Sequence, residues 1–166
     1  MNQALGAIAP DWSREALRAG EWNPGKRLLA SLRDYQRHTV SGSWWSRQVL
    51  RRLAVLRHRF WSAVSGADIP LNSHIGGGLL LPHPNGVVIH PAAHVGVNCL
   101  IFQQVTLGTR GDGRAPVLGD RVDVGAGAKL LGGITVGADA VIGANAVVMV
   151  DVPAGAVAVG VPAGVL

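Results

Sequence analysis

The stretch LGDRVDVGAGAKLLGGITVGADAVIGANAVV, residues 118–148, carries an aliphatic residue at every sixth position. A period of six fits neither an α-helix, which repeats about every 3.6 residues, nor an ordinary strand, whose side chains alternate between two faces. It is the period of a parallel β-helix, in which each hexapeptide forms one short strand and one turn. The aliphatic positions are Leu118, Val124, Leu130, Val136, Ile142 and Val148.

The same period continues in two earlier runs of the chain. Glycine follows seven of the fourteen aliphatic residues, and a small or branched residue often stands four positions after one. Small residues allow sharp bends where a Cβ atom would collide, and each coil buries its sides only by stacking on the next coil. The pattern therefore predicts a β-helix, mainly β in class. The first run is Ile69, Ile75, Leu81 and Val87, and the second is Ile89, Val95, Ile101 and Leu107.

Two breaks interrupt this period. A slip of two residues separates Val87 from Ile89, and a step of eleven residues separates Leu107 from Leu118. The larger break predicts a loop at residues 108–116, GTRGDGRAP, whose glycines and charges suit an excursion from the coil. We expect functional residues at such interruptions of a regular scaffold.

The first 65 residues differ in composition from the rest. Residues 1–65 carry eleven Lys and Arg against four acids, whereas residues 66–166 carry four against six, and all five tryptophans precede residue 62. Leucine and valine recur there at spacings of three and four residues in RLLASLRDYQRH, 27–38, and SRQVLRRLAVLRHRFW, 46–61. This spacing predicts amphipathic helices. We therefore divide the chain into an α-helical N-terminal region, 1–65, and a β-helix domain, 66–166.

The cationic and aromatic segment 44–61 has two interpretations. It contacts a membrane surface, or its apolar side chains cover the open end of the β-helix or a neighbouring subunit. The second interpretation is preferred because solenoid ends need caps. Nucleic acid is not expected, since no recognition motif accompanies the arginines. The proposed covering residues are Trp44, Trp45, Leu50, Leu53 and Phe60.

Several classes of function find no support in the sequence. The single cysteine, Cys99, provides neither a disulfide framework nor a zinc knuckle, and a cytoplasmic location is expected. No apolar stretch of membrane-spanning length and no signal peptide are apparent. Walker-type and strand-linked GxGxxG motifs are lacking, so nucleotide hydrolysis and dinucleotide redox chemistry are not indicated.

Four segments of the β-helix domain resemble serine acetyltransferases of the hexapeptide-repeat acyltransferase family. They are ADIPLNSHIGGGLLLPHPNGVVIHPAAHVG (67–96), QQVTLG (103–108), VGAGAKLLGGITVG (124–137) and DVPAGAVAVGVPAG (151–164). The resemblance implies a left-handed β-helix with three hexapeptides per coil, hence between four and five coils. It also implies transfer of acetyl from acetyl-CoA to the serine hydroxyl, in active sites between the subunits of a homotrimer.

The resemblance assigns His83, in PHPNG, as the general base and Asp68, fifteen residues earlier, as the residue that orients it. An alcohol must lose its proton as it attacks a thioester, imidazole titrates near neutrality, and a carboxylate on the other ring nitrogen fixes the tautomer. Arg114 corresponds to an arginine that binds the substrate carboxylate, a role suited to guanidinium. The implied CoA groove is lined by Gly108, Ala126 and Ala144, with Lys129 near a phosphate. No metal is expected.

Three departures from the family pattern concern the acceptor. Pro82 replaces an aspartate that helps to bind serine, Ala115 replaces a histidine after the arginine, and Gly164 replaces a basic residue near the end. The helical region is also shorter than in typical serine acetyltransferases, which argues for a trimer over a hexamer. A sugar or polysaccharide hydroxyl is therefore an alternative acceptor for the same chemistry.

Two remote alternatives complete the sequence-based hypotheses. One is a zinc hydratase resembling γ-carbonic anhydrases, with His83, His90 and His94 as candidate ligands, although their spacing does not match that family. The other is a noncatalytic scaffold whose basic helices bind a membrane or a partner; the pairing of Asp68 with His83 argues against it.

Overall fold

The computed structural model describes residues 8–40 and 44–166, with side chains described for 8–38 and 48–166. A short 3-10 helix, Trp12–Arg14, precedes two α-helices, α1 (Pro24–Val40) and α2 (Trp44–Ser65), which pack against each other. The side chain of Asn23 accepts a hydrogen bond of 3.0 Å from the Lys26 amide, and Pro24 occupies the first helical position. This is a favourable helix start. Among these described residues, no helix is long and apolar enough to cross a membrane.

Thirteen short strands follow the helices. They form three sheets, which we call the first, second and third sides. All pairs are parallel except β12 with β13, which is antiparallel. The strands are β1 (His74–Ile75), β2 (Val88–Ile89), β3 (His94–Val95), β4 (Leu100–Ile101), β5 (Thr106–Gly108), β6 (Val117–Leu118), β7 (Asp123–Val124), β8 (Lys129–Leu131), β9 (Thr135–Val136), β10 (Val141–Ile142), β11 (Val147–Val148), β12 (Val157–Gly160) and β13 (Ala163–Val165).

Successive coils of the chain visit the three sides in the same order. The first side contains β2, β5, β8 and β11; the second contains β1, β3, β6 and β9; the third contains β4, β7, β10, β12 and β13. Isolated bridges add Asp68 to the first side, Val152 to the second and Leu80 to the third. Each side thus has five levels, and the predicted class, a parallel β-helix, is confirmed. Corners I, II and III are the turns that precede the first, second and third sides.

One side chain per side and level points into the interior. All fifteen are at most 7 % exposed, and thirteen of them belong to the aliphatic period recognised in the sequence. They are Ile69, Ile89, Leu107, Leu130 and Val148 on the first side, Ile75, Val95, Leu118, Val136 and Val152 on the second, and Leu81, Ile101, Val124, Ile142 and Ala158 on the third.

The first break in the period lies earlier than the sequence suggested. Val87 is buried, but it stands two residues before the inward-pointing Ile89, and its carbonyl accepts a hydrogen bond of 2.8 Å from the Asp68 amide. The chain therefore takes eight residues from Leu81 to Ile89, and the two additional residues lengthen the turn 82–86 at corner I. Assigning Val87 to the strand period was wrong, because valine also suits the buried position that closes a turn.

The open end of the β-helix is covered by α1. Leu28, Leu29 and Leu32 are at most 1 % exposed and belong to the same core as the first coil. Arg33 donates hydrogen bonds to the backbone carbonyls of Ile75, at 2.8 Å, and Gly76, at 2.7 Å. The leucines thus replace the missing coil below level one, while the arginine pairs carbonyls at the second side.

The residues predicted to form this cap are placed differently. Leu50, Leu53 and Phe60 of α2 are 40 %, 50 % and 57 % exposed, so they do not cover the open end. The side chains of Trp44 and Trp45 lie outside the described residues. The prediction that these residues cover the open end is therefore wrong for Leu50, Leu53 and Phe60, because the spacing of the leucines indicates an apolar face without indicating what that face contacts. The other half of the prediction, that they cover a neighbouring subunit, stays a prediction.

Corner III depends on glycines that stack on one another. A Cβ atom on Gly96 would lie 2.4 Å from the backbone of Gly119 one level above, and a Cβ atom on Gly76 would lie 2.6 Å from the backbone of Gly96. These distances are far below van der Waals contact. The close approach explains why glycine follows the aliphatic residue at this corner.

We predict that Gly96→Ala destabilises the protein by about 1–3 kcal/mol, the usual cost of overpacking a close-packed site. Urea denaturation followed by circular dichroism measures the change. Gly164→Ala is the matched control, because a Cβ atom there meets nothing within 4 Å. Equal denaturation midpoints for the two variants would contradict the stacking argument.

Candidate active site

Asp68 opens the first side at level one. Its carbonyl accepts a hydrogen bond of 2.9 Å from the Ile89 amide, and it pairs in parallel with Val88. Because the neighbouring Ile69 points into the core, the Asp68 side chain points outward and is exposed. The period that builds the fold thus directs this carboxylate to the surface.

His83 lies in the lengthened turn 82–86 at corner I, between levels one and two, and is exposed. This turn is held from both neighbouring levels. The Gly86 amide donates to the Gly66 carbonyl at 2.8 Å, and the Gln104 amide donates to the Asn85 carbonyl at 2.9 Å. The imidazole is therefore carried by a fixed backbone, although no protein atom is hydrogen-bonded to its ring among the described residues.

Asp68 and His83 flank the same corner, since Asp68 follows corner I at level one and His83 lies within the turn that leads to level two. No hydrogen bond joins the Asp68 carboxylate to the His83 ring in the described part of the single chain. Both side chains are exposed, so each can rotate without disturbing the core.

A cleft of about 530 Å³ lies beside Asp68, between α2 and the first coil. Arg59 and Ser62 of α2 line one part of it, and Pro70 and Leu71 line another. The cleft thus places an exposed guanidinium and an exposed carboxylate around one space. The sequence did not reveal it, because α2 and the first coil meet only in the folded chain.

His58, which sequence reasoning missed, forms part of this cleft and is only 7 % exposed. Its Nε2–H donates to the Ile69 carbonyl at 2.8 Å, and its Nδ1 lies 3.1 Å from Ser31 Oγ on α1. One ring thus links α1, α2 and the residue after Asp68. Helical phase was the available signal, since Ala54, His58 and Ser65 recur at four and seven residues on one buried face.

Burial lowers the pKa of His58 below its usual 6.5, against the opposing effects of the hydrogen bond to Ile69 and the negative charge of Asp68. A lowered pKa means that the folded state prefers the neutral ring. Its stabilising contribution is therefore complete above pH 6.5 and is lost as the pH falls through 6.5 towards the lower folded-state value.

We predict that the melting temperature of the wild type falls by a few degrees more than that of His58→Gln between pH 7.5 and pH 5.5. Glutamine retains an N–H donor for Ile69 but does not titrate. Thermal denaturation followed by circular dichroism measures both, with the exposed His74→Gln as control. The same loss in wild type and His58→Gln would show that His58 does not titrate in this range.

The four residues assigned to CoA all border the first side. Ala126 and Ala144 stack at corner I of levels four and five, where the Asn145 amide donates to the Ala126 carbonyl at 2.8 Å. Lys129 begins β8 and donates through Nζ to the Gln104 carbonyl. Gly108 ends β5 at the opposite edge, beside corner II. Three of the four thus share a column with His83, and Gly108 does not.

Arg114 lies in the loop 108–116 at corner II, with its side chain 74 % exposed. Its Nε donates to the Asp112 carboxylate at 2.6 Å, and its backbone amide donates to the same carboxylate at 3.0 Å. These two hydrogen bonds hold the pKa of Asp112 below its usual value. The guanidinium already holds a carboxylate of its own loop. A substrate carboxylate would bind the two Nη groups, or would displace Asp112 from Nε.

A single chain does not bring Arg114 to His83. The two residues stand at opposite edges of the first side, and no described cleft is lined by both.

His90 begins corner II of level two, and His94 stacks on His74 on the second side with ring centroids 4.4 Å apart. Within the described residues, no group of three or more His, Cys, Asp or Glu side chains is placed to hold a metal ion.

The fold and the arrangement of these residues define a hexapeptide-repeat β-helix protein. No family model matches the chain. It is 44 % identical over 132 residues to the serine acetyltransferase of Mycobacterium tuberculosis, covering 78 % of this chain and 57 % of that protein. It is 49 % identical over 100 residues to the serine acetyltransferase of Helicobacter pylori, covering 58 % of each. The chain thus spans little more than half the length of these relatives.

Solved structures agree with the sequence relatives. Soybean serine acetyltransferase complexed with serine has a TM-score of 0.72 and 38 % identity, covering 86 % of this chain and 57 % of that one. A serine acetyltransferase in complex with CoA has a TM-score of 0.72 and 36 % identity, covering 87 % and 58 %. The chain is thus similar in sequence and in fold to serine acetyltransferases of the hexapeptide-repeat family. Its fold is the left-handed β-helix preceded by helices.

Proposed function

We propose that the protein is an acetyl-CoA-dependent O-acetyltransferase of serine acetyltransferase type, with L-serine as the first candidate acceptor. The observation that carries the proposal is the position of His83, exposed on a fixed turn at corner I with Asp68 at the adjacent level. Relatives named serine acetyltransferase and a structure of one with CoA support it.

In the proposed reaction, His83 removes the proton of the acceptor hydroxyl while its oxygen attacks the thioester carbonyl. The carbon–sulfur bond then breaks, the acetyl group stays on the acceptor oxygen, and the imidazolium returns the proton to the CoA sulfur. Asp68, after rotation towards the ring, orients His83 and stabilises the imidazolium. Each atom and charge is balanced without a further reactant.

The acyl donor is proposed to lie along corner I. From His83 to Ala144 this column spans levels two to five, or about 15 Å at about 4.8 Å per level. Ala126 leaves the backbone accessible there, and Lys129 supplies a positive charge for a phosphate. An extended thioester with its reactive end at His83 suits this length.

We further propose that the protein forms a homotrimer with active sites between subunits and that it is located in the cytoplasm. The separation of Arg114 from His83 supports this assembly, because a corner II of one chain and a corner I of its neighbour would together supply both residues. We also propose the division into a helical region, 1–65, and a β-helix domain, 66–166, which the end of α2 at Ser65 supports.

A sugar hydroxyl is the second candidate acceptor, and two residues favour it. Pro82, which begins the turn of His83, has no charge for a substrate amino group. Ala115 is only 8 % exposed and packs with the core, so it offers no polar contact beside Arg114. Both changes affect recognition of an amino acid and leave the proposed base in place.

We predict that His83→Ala lowers kcat about a hundredfold or more, the usual contribution of a general base, with CoA affinity retained. Release of the CoA thiol measures turnover, and burial raises the pKa of the Cys99 thiol to about 11, which limits its background reaction. His74→Ala, another exposed histidine, serves as control. Turnover of His83→Ala within tenfold of wild type would remove His83 from the mechanism.

We predict serine-dependent thiol release above hydrolysis when acetyl-CoA is supplied with L-serine. Pro82→Asp should raise kcat/KM for serine several-fold, because a carboxylate there can pair with the amino group, whereas Pro91→Asp at corner II should not. Nucleotide sugars and oligosaccharides are tested in parallel. Acetylation of a sugar without any reaction of serine would reject serine and establish the second candidate.

A further inference from the structure

The outward face of α2 is a continuous apolar stripe. Its members recur at spacings of three and four residues, which places them on one side of the helix. The opposite side, with Ala54, His58 and Ser65, packs towards α1 and the first coil. The α2 stripe consists of Val49, Leu53, Leu56, Phe60 and Val64, which are 55 %, 50 %, 61 %, 57 % and 40 % exposed.

Arginines flank the α2 stripe along both of its edges. At 100° per residue, Arg52 and Arg59 lie on one edge and Arg57 on the other. Arg57 pairs with Asp34 at 2.6 Å, whereas Arg52 and Arg59 have no ion-pair partner in the described part of the chain. Residues 44–65 contain five arginines and no acidic residue. The helix therefore combines an exposed apolar strip with unneutralised positive charge.

This charge pattern distinguishes between possible occupants of the stripe. A second copy of α2 would bring the same arginines opposite each other, and like charges across an interface oppose association. An anionic lipid surface satisfies both features, because acyl chains accept the apolar strip and headgroups pair with the flanking arginines. Helices with Phe and Leu on one side and arginines beside them lie in the plane of such a surface.

We propose that α2 docks the protein on an anionic lipid surface, with the α2 stripe facing the acyl chains and Arg52 and Arg59 facing the headgroups. The proposal rests on α2 alone and does not depend on acyl transfer. It replaces the interpretation preferred from the sequence, because α1 already covers the end of the β-helix and the flanking arginines oppose a second copy of α2 on the stripe.

Sedimentation of the full chain with vesicles tests the proposal. We expect binding to phosphatidylcholine vesicles that contain a quarter phosphatidylglycerol, and no binding to phosphatidylcholine alone. Each arginine near an anionic surface contributes about fivefold in affinity, so Arg52→Gln/Arg59→Gln should weaken binding roughly twentyfold. Leu53→Ser/Leu56→Ser should weaken it about a hundredfold or more.

Two control variants match these changes on the β-helix. Arg110→Gln/Arg121→Gln removes the same charge, and Val150→Ser/Leu166→Ser removes two exposed apolar side chains far from α2. Both controls should bind within about threefold of wild type, because surface changes away from the docking helix are nearly neutral. Circular dichroism of every variant verifies that the fold is retained.

Three outcomes would overturn the proposal. The first is that the wild type remains in the supernatant with anionic vesicles. The second is that the arginine control loses as much binding as Arg52→Gln/Arg59→Gln, which would indicate nonspecific attraction of a basic protein. The third is a smaller assembly of Leu53→Ser/Leu56→Ser in analytical ultracentrifugation, which would make the stripe a protein interface. Loss of vesicle binding by Leu53→Ser/Leu56→Ser with unchanged thiol release would separate this surface from the proposed active site, because neither leucine lines the cleft beside Asp68.

Discussion

The stacking of one coil on the next is the interaction on which this structure depends. A level has little interior of its own: its aliphatic side chains are buried by the levels above and below, and its backbone groups pair with them. The spacing is so tight at corner III that the backbones of Gly96 and Gly119 leave no room for a Cβ atom. A solenoid built this way has an exposed end wherever stacking stops. At the first coil, the leucines of α1 take the place of another level, and Arg33 pairs carbonyls that would otherwise face solvent.

The proposed site lies where this regularity is interrupted. The lengthened turn 82–86 carries His83, and the excursion 108–116 carries Arg114. A regular hexapeptide directs every second side chain of its strand into the core. Its remaining residues form the turn, so it is too short to include a projecting loop. Two additional residues at corner I move His83 outward while Gly66 and Gln104 still hold the turn from both sides. The scaffold thus provides a rigid base, and the interruptions carry the residues proposed for catalysis and substrate binding.

The sequence predicted the interior better than the surface for a physical reason. Inward positions accept only aliphatic side chains, so thirteen of the fifteen were recognised. Val87 was misplaced, and Val152 and Ala158 were overlooked because they fall outside the regular period of six. Corner geometry is less visible. Gln104 and Arg121 adopt left-handed backbone conformations with φ of 58° and 54°. Neither residue type predicts such a conformation from the sequence. The spacing of Asp68 and His83 placed them near one edge, as found, but the cleft with His58 arises from contacts between α2 and the first coil that no local pattern contains.

The two faces of α2 show why amphipathic spacing alone cannot assign the buried side of a helix. The larger apolar residues, such as Leu56 and Phe60, point outward, while Ala54 and His58 point inward. Ala54 is buried, and His58 satisfies its polar ring atoms through Ser31 of α1 and Ile69 of the first coil. The inner face is therefore held by burial and hydrogen bonding, and the larger apolar side chains stay exposed on the outer face. Exposed leucines and a phenylalanine on one helix lower solubility unless another surface covers them. Because arginines border this face, the covering surface must be apolar at its centre and anionic at its edges, a combination that a lipid interface offers and a second copy of the same helix does not.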